Sequence, residues 1–307
     1  MPERDGYIPG VPCWVDTSQA DLGAALDFYS DLFGWDFEDV MPPESEGNYF
    51  VASCEATSSS IFDTSGDLCS GDVAAVRSIP EAAEPRATWN TYFWVDSAEE
   101  AASKVRDAGG GLATDPFDFM DACRMAVFTD PEGAAFGVWE AKEHKGARLV
   151  NDPGALVFNG LNTRDVEGAK SFYGSVFGWQ TGTIGGGAEG WTLPGYGDWL
   201  EREHQPNLRK QMAEAGAPDG FEDVVASVIP IPDDQPDTPA HWSVTFAADN
   251  ADATAAKAAE LGGTVIVPPF DGPWSTSTYT IRITVIADPQ GATFSASKFV
   301  AKTTDLG

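Results

Sequence analysis

Residues 21–35 read Asp-Leu-Gly-Ala-Ala-Leu-Asp-Phe-Tyr-Ser-Asp-Leu-Phe-Gly-Trp, and 144 positions later residues 165–179 read Asp-Val-Glu-Gly-Ala-Lys-Ser-Phe-Tyr-Gly-Ser-Val-Phe-Gly-Trp. The copies agree at the opening Asp, at Phe-Tyr and at Phe-Gly-Trp. In the first, Leu22, Ala25, Leu26, Tyr29, Leu32 and Phe33 recur at three- and four-residue spacing, which places them on one face of a helix. Asp21 stands where an N-cap acceptor is favoured. Gly34 stands where a left-handed cap would end the helix.

The same offset extends outward to Pro9-Gly10 against Pro153-Gly154. A second series repeats at offset 153: Trp89 with Trp242, Asp96 with Asp249, Gly109-Gly110 with Gly262-Gly263, and Pro116-Phe117-Asp118 with Pro269-Phe270-Asp271. After five extra residues it resumes with Asp130-Pro131-Glu132-Gly133 against Asp288-Pro289-Gln290-Gly291. The chain is an internal duplication. Its boundary falls near 146–153, where Gly146, Asn151, Asp152 and Pro153 carry linker chemistry.

Each half divides again. Residues 11–19 read as a strand, 21–33 as the helix, and 35–40, 48–55 and 72–79 as strands. A strand at 89–95, a helix near 97–107 and strands ending at 134–140 repeat the order. The predicted fold is α+β: four βαβββ modules forming two cupped, mixed or antiparallel sheet domains, 1–147 and 148–307. A charged, helix-like insertion at 196–219 reads as a surface excursion, or as a lid or contact surface. Residues 184–190, Ile-Gly-Gly-Gly-Ala-Glu-Gly, lack the phosphate-loop Lys and read as a hairpin turn.

Composition narrows the function. Forty-eight acidic against 18 basic side chains leave a net charge of −30 in 307 residues. Such a surface repels nucleic acid and anionic membranes. No apolar run is long enough to cross a bilayer, and Met1 to Gly6 offers no signal peptide. A cytoplasmic location is expected, as a monomer or homodimer. Cys13, Cys54, Cys69 and Cys123 form no Cys-x-x-Cys pair. They read as buried thiols, with a Cys54–Cys69 bridge or a reactive thiol as the alternatives.

The pattern Asp-x6-Phe-Tyr-x3-Phe-Gly-Trp at 21–35 and 165–179, with the Asp-Pro-x-Gly turns at 130–133 and 288–291, resembles the vicinal oxygen chelate superfamily. This is the superfamily of glyoxalases, bleomycin resistance proteins and extradiol dioxygenases. The resemblance implies paired βαβββ modules around a cup that often holds a divalent metal. In metal-dependent members a His, Gln or Glu stands seven residues before each helix-opening Asp, and a Glu stands seven after the Asp of the turn. Those places here hold Trp14, Trp89, Phe158 and Trp242, and Gly137 and Ser295. No metal site or cofactor is therefore expected. His241, one residue off register, and Glu140, three beyond a ligand position, remain the exceptions to test.

An aromatic cup implies a flat ligand. By strand alternation Trp14 and Asp16 share a face, and Trp89, Thr91 and Phe93 are expected on the partner strand, with Gly137 and Trp139 beyond. The second cup would present Phe158, Gly160, Asn162, Trp242, Val244, Phe246, Ser295 and Ser297. Asp16 is the candidate acid–base residue, or else a carboxylate capping the following turn. These aromatics could equally fill two sheet cores. The expected function is metal-independent binding of an aromatic or polycyclic metabolite or antibiotic, as in bleomycin resistance, with the first cup favoured. The alternative is a metal-free hydroxylase, isomerase or cyclase of natural-product metabolism.

Overall fold

A computed structural model describes residues 4–55, 70–79, 86–185, 188–273, 275 and 279–302. The first module runs β1 (Pro12–Gln19), α1 (Leu22–Phe33), β2 (Asp36–Asp39), β3 (Tyr49–Glu55) and β4 (Ser70–Ser78). The second runs β5 (Thr88–Trp94), α2 (Ala98–Asp107), β6 (Gly111–Phe119), β7 (Cys123–Thr129) and β8 (Ala135–Ala141). The third has β9 (Leu156–Thr163), α3 (Val166–Phe177), β10 (Gln180–Gly185), β11 (Ala188–Thr192), then α4 (Tyr196–Glu203), α5 (Leu208–Glu214) and β12 (Val224–Pro230). The last has β13 (His241–Ala247), α6 (Ala251–Glu260), β14 (Thr264–Asp271), β15 (Tyr279–Ala287) and β16 (Thr293–Ala301).

The four βαβββ modules form two eight-stranded mixed sheets, as expected. The first is ordered β2-β3-β4-β1-β5-β8-β7-β6, and the second repeats that order with β10-β11-β12-β9-β13-β16-β15-β14. Within each, the first strands of two modules pair antiparallel, while each module's first and last strands pair parallel. β10 and β11 pair antiparallel on either side of residues 186–187, which fall in the stretch read as a hairpin turn and lie outside the described residues. Cys13, Cys54 and Cys123 are buried, and Cys69 lies outside the described residues. Among the described residues no helix is long and apolar enough to cross a membrane.

The repeated motifs lock the halves together. Each Phe-Tyr helix supplies a tyrosine to the Asp-Pro-x-Gly turn of the other half. Tyr29 Oη donates to Asp288 Oδ2 at 2.9 Å, and Tyr173 Oη to Asp130 Oδ2 at 3.2 Å. The turn's third residue answers at the helix N-terminus. Gln290 Oε1 accepts from the Ala20 and Asp21 backbone N–H groups, and Glu132 from those of Arg164 and Asp165. The motif tryptophans reach the repeated Pro-Gly. Trp35 Nε1 donates to Gly154 O at 2.8 Å, and Trp179 Nε1 to Gly10 O at 2.9 Å. Gly10 has φ +89, and a side chain there would press on Phe177 and Trp179.

One expected register fails, for a local reason. Asp21 and Asp165 cap α1 and α3 as predicted. However, α2 is capped by Ser97 and α6 by Asn250, one residue after Asp96 and Asp249. Seven residues before the true caps stand Asn90 and Ser243, not Trp89 and Trp242. A one-residue slip on a strand moves every side chain to the other face. Pairing confirms the correct phase, since Trp14 lies opposite Tyr92 and Asp16 opposite Asn90. Trp89, Thr91 and Phe93, with Trp242, Val244 and Phe246, therefore lie on the face toward the other half. There Trp89 packs edge-on against Phe246 and Phe93 against Trp242, each at 5.0 Å between centroids. Asn159 Nδ2 bonds Thr91 Oγ1 across the same interface at 2.9 Å. These six residues do not line a cup; they form the core between the sheets.

Candidate functional site

The sheet faces turned away from that core are equivalent in backbone and opposite in filling. In the first half one row runs Trp14–Tyr92–Gly137 across β1, β5 and β8. Gly137 has no side chain because the Tyr92 ring lies over it, and a methyl group there would overlap the ring. The Tyr92 hydroxyl cannot swing away freely, because it donates to Asp16 Oδ2 at 2.8 Å. Gly137→Ala is accordingly expected to cost about 1–3 kcal/mol of stability through overpacking. An unchanged urea midpoint would show that the ring yields.

Asp16 is 1% exposed and receives four donors. Besides Tyr92 these are Asn90 Nδ2 at 2.7 Å, Tyr49 Oη at 3.3 Å and Arg77 Nε at 3.3 Å. Trp14 Nε1 in turn donates to Tyr49 Oη at 2.8 Å. Burial, and then the Asp16 charge, push both tyrosines well above the ordinary phenol range, so they remain protonated donors. Trp139 packs beside Tyr92 and Trp14, and its Nε1 donates to His144 O. Trp14, Tyr92 and Trp139 are all buried. The first cup, favoured from sequence as the open site, is filled by its own rings.

The second half keeps the register and loses the rings. Phe158 stands where Trp14 does, Thr245 where Tyr92 does, and Ser295 where Gly137 does. Gly160 replaces Asp16, Ser243 replaces Asn90 and Ser297 replaces Trp139. All six line a cavity of about 310 Å³. Its walls are mostly aliphatic, with Ile229, Ile281 and Ile283 among them, and Ser227, Ser243, Thr245, Ser295 and Ser297 are among its polar members, Ser243 Oγ donating to Gly160 O at 3.0 Å. Of the residues expected at this cup, Phe158, Gly160, Ser295 and Ser297 line the cavity. Asn162 does not; its side chain approaches His241 O at 3.4 Å.

The 196–219 insertion, read from sequence as a surface excursion or else a lid or contact surface, supplies part of this cavity's wall. Tyr196, Leu200 and Met212 line it, with Phe221 just beyond the insertion. Arg209 on α5 joins the insertion's two helices through Asp198 at 2.7 Å and Glu201 at 2.5 Å of α4, and links them to Glu222 just beyond at 2.8 Å. From the other side come Arg4, Tyr7 and Val11 of the N-terminal segment. Sequence reasoning missed the cover's inward residues and the N-terminal segment. Ser243 and Thr245 were readable from the repeat once α6 was started at Asn250.

The donor set does not suit a divalent metal. The corresponding positions hold Trp14, Asn90 and Gly137 in one half and Phe158, Ser243 and Ser295 in the other, with no carboxylate or imidazole. Among the described residues no three His, Cys, Asp or Glu side chains converge as a ligand set. His241 holds its Nδ1 2.9 Å from Pro239 O, and Glu140 Oε2 accepts the Ala98 N–H at the start of α2.

A family model described as the Glyoxalase/Bleomycin resistance protein/Dioxygenase superfamily matches residues 15–138 and 155–295. A Mycobacterium tuberculosis protein named as a candidate glyoxylase, CFP32, is 37% identical over 97% of this chain and 98% of its own length. The anthracycline biosynthesis protein DnrV of Streptomyces peucetius is 32% identical over 94% of this chain and 93% of its own. Among solved structures, the Mn(II)-bound glyoxalase from Novosphingobium aromaticivorans superimposes with TM-score 0.56 at 14% identity, over 95% of this chain and 84% of that one. The 2,3-dioxygenase LapB from Pseudomonas sp. KL28 gives 0.55 at 12% identity, over 97% and 96%. At these identities the structural likeness concerns the fold.

Proposed function

The chain belongs to the glyoxalase/bleomycin resistance protein/dioxygenase superfamily, and from that premise we propose that it binds a small aromatic or polycyclic molecule of antibiotic metabolism in the cavity of its second half, without a metal. One observation carries the reading. The positions that fill the first cup with Asp16, Tyr92 and Trp139 hold Gly160, Thr245 and Ser297 in the second, so a ring-sized apolar space stands open under a cover. Hydroxyls on its floor can orient a polar substituent while aliphatic walls contact the body. The described lining favours holding over chemistry, because the one carboxylate among those residues, Glu222, is engaged by Arg209. The naming of two relatives as anthracycline biosynthesis proteins favours a second reading, catalysis in the same cavity.

The test is fluorescence titration of the full chain with the methyl ester of anthracene carboxylic acid, a neutral three-ring probe. Saturable one-to-one binding is the expected result. Absence of binding would sink the proposal. Polycyclic metabolites incubated with the protein and recovered unchanged by mass spectrometry support holding, and a changed mass supports catalysis.

A further inference from the structure

We propose, building on the cavity reading above, that the natural ligand carries an ionised acid, a carboxylate or phenolate, that docks against Arg4. The chain has 48 acidic and 18 basic side chains, yet among the described residues the charged ones lining the cavity are Arg4, Lys298 and Glu222. Glu222 is already bound by Arg209 Nε at 2.8 Å. Among the described lining residues Arg4 is the buried cation, set in a protein of strongly negative field.

Arg4 is deeply buried. It is 8% exposed. Its Nη1 donates to Tyr196 Oη at 3.1 Å, and its guanidinium lies 5.0 Å from the centroid of the Tyr7 ring. The Tyr7 hydroxyl is spent on Ala147 O at 2.6 Å. Among the described residues these partners are neutral phenols. A guanidinium has five N–H donors and cannot shed its charge to lower the cost of burial. A buried charge is normally paired. On the cavity side the described lining offers Arg4 no carboxylate other than the Arg209-bound Glu222, and a planar acid group could enter there.

The experiment compares anthracene carboxylate with its methyl ester at neutral pH on the full chain. The acid is expected to bind at least tenfold more tightly than the ester. Arg4→Met should remove that preference, bringing acid and ester to equal affinity within the variant, and Arg4→Lys should restore part of it. Equal affinity for both probes overturns the acid group and leaves the cavity reading standing. So does a preference that survives Arg4→Met. Failure of both probes overturns the two together. Should Arg4→Met not fold, the acid-to-ester ratio of the unmodified protein still decides.

Discussion

Thr245→Phe combined with Ser295→Gly is expected to weaken binding of the anthracene ester by on the order of 100-fold or more, about 2.7 kcal/mol. The pair rebuilds in the second half the row that closes the first, where a ring lies over a glycine. Phe is chosen over Tyr because the acceptor that satisfies Tyr92, Asp16, is replaced here by Gly160. A buried phenol without an acceptor would add a desolvation cost unrelated to filling. The ring takes the space a ligand needs, so loss of binding should come with an unchanged or raised melting temperature. Retained affinity in the folded variant would place the ligand elsewhere.

The largest stability effect is expected at Asp16. Asp16→Ala should cost about 3–5 kcal/mol, because it strands the Arg77 guanidinium and three neutral donors that converge on one carboxylate. The lower end is favoured, since the Arg77 side chain keeps 27% of its exposure and can recover water. Urea denaturation measures it. A stability unchanged by the substitution, together with a lost reaction, would return Asp16 to the acid–base role considered from sequence.

The duplication, module order and both Asp-capped helices were legible because they rest on local chemistry: an Asp before an apolar helical face, a Gly after it, an Asp-Pro-x-Gly turn. The phase of modules two and four was not. Asp96 and Asp249 each precede a second good cap, Ser97 or Asn250, and one-dimensional pattern does not say which is used. That single residue sent Trp89, Thr91, Phe93, Trp242 and Phe246 to the wrong face. The open cavity was half legible. Tyr92 to Thr245 and Trp139 to Ser297 are visible in the aligned repeat, but only with the phase right do they fall in one place. Arg4 carried no signal, since nothing local ties the N-terminal segment to a cavity built by residues 158–299.

The crossed tyrosine–aspartate bonds have a consequence for synthesis. A ribosome delivers the entire first half before residues 288–290 exist. Until then the α1 N-terminus lacks the Gln290 acceptor and Tyr29 lacks Asp288, although Asp130 and Glu132 are already waiting for a helix not yet made. The nascent first half thus carries an exposed aromatic face, with Phe33 and Trp35 short of Phe246. Its maturation is a clasp that cannot shut until residues 288–290 have been made, and a chain truncated before them is expected to expose this face and aggregate where the full chain does not.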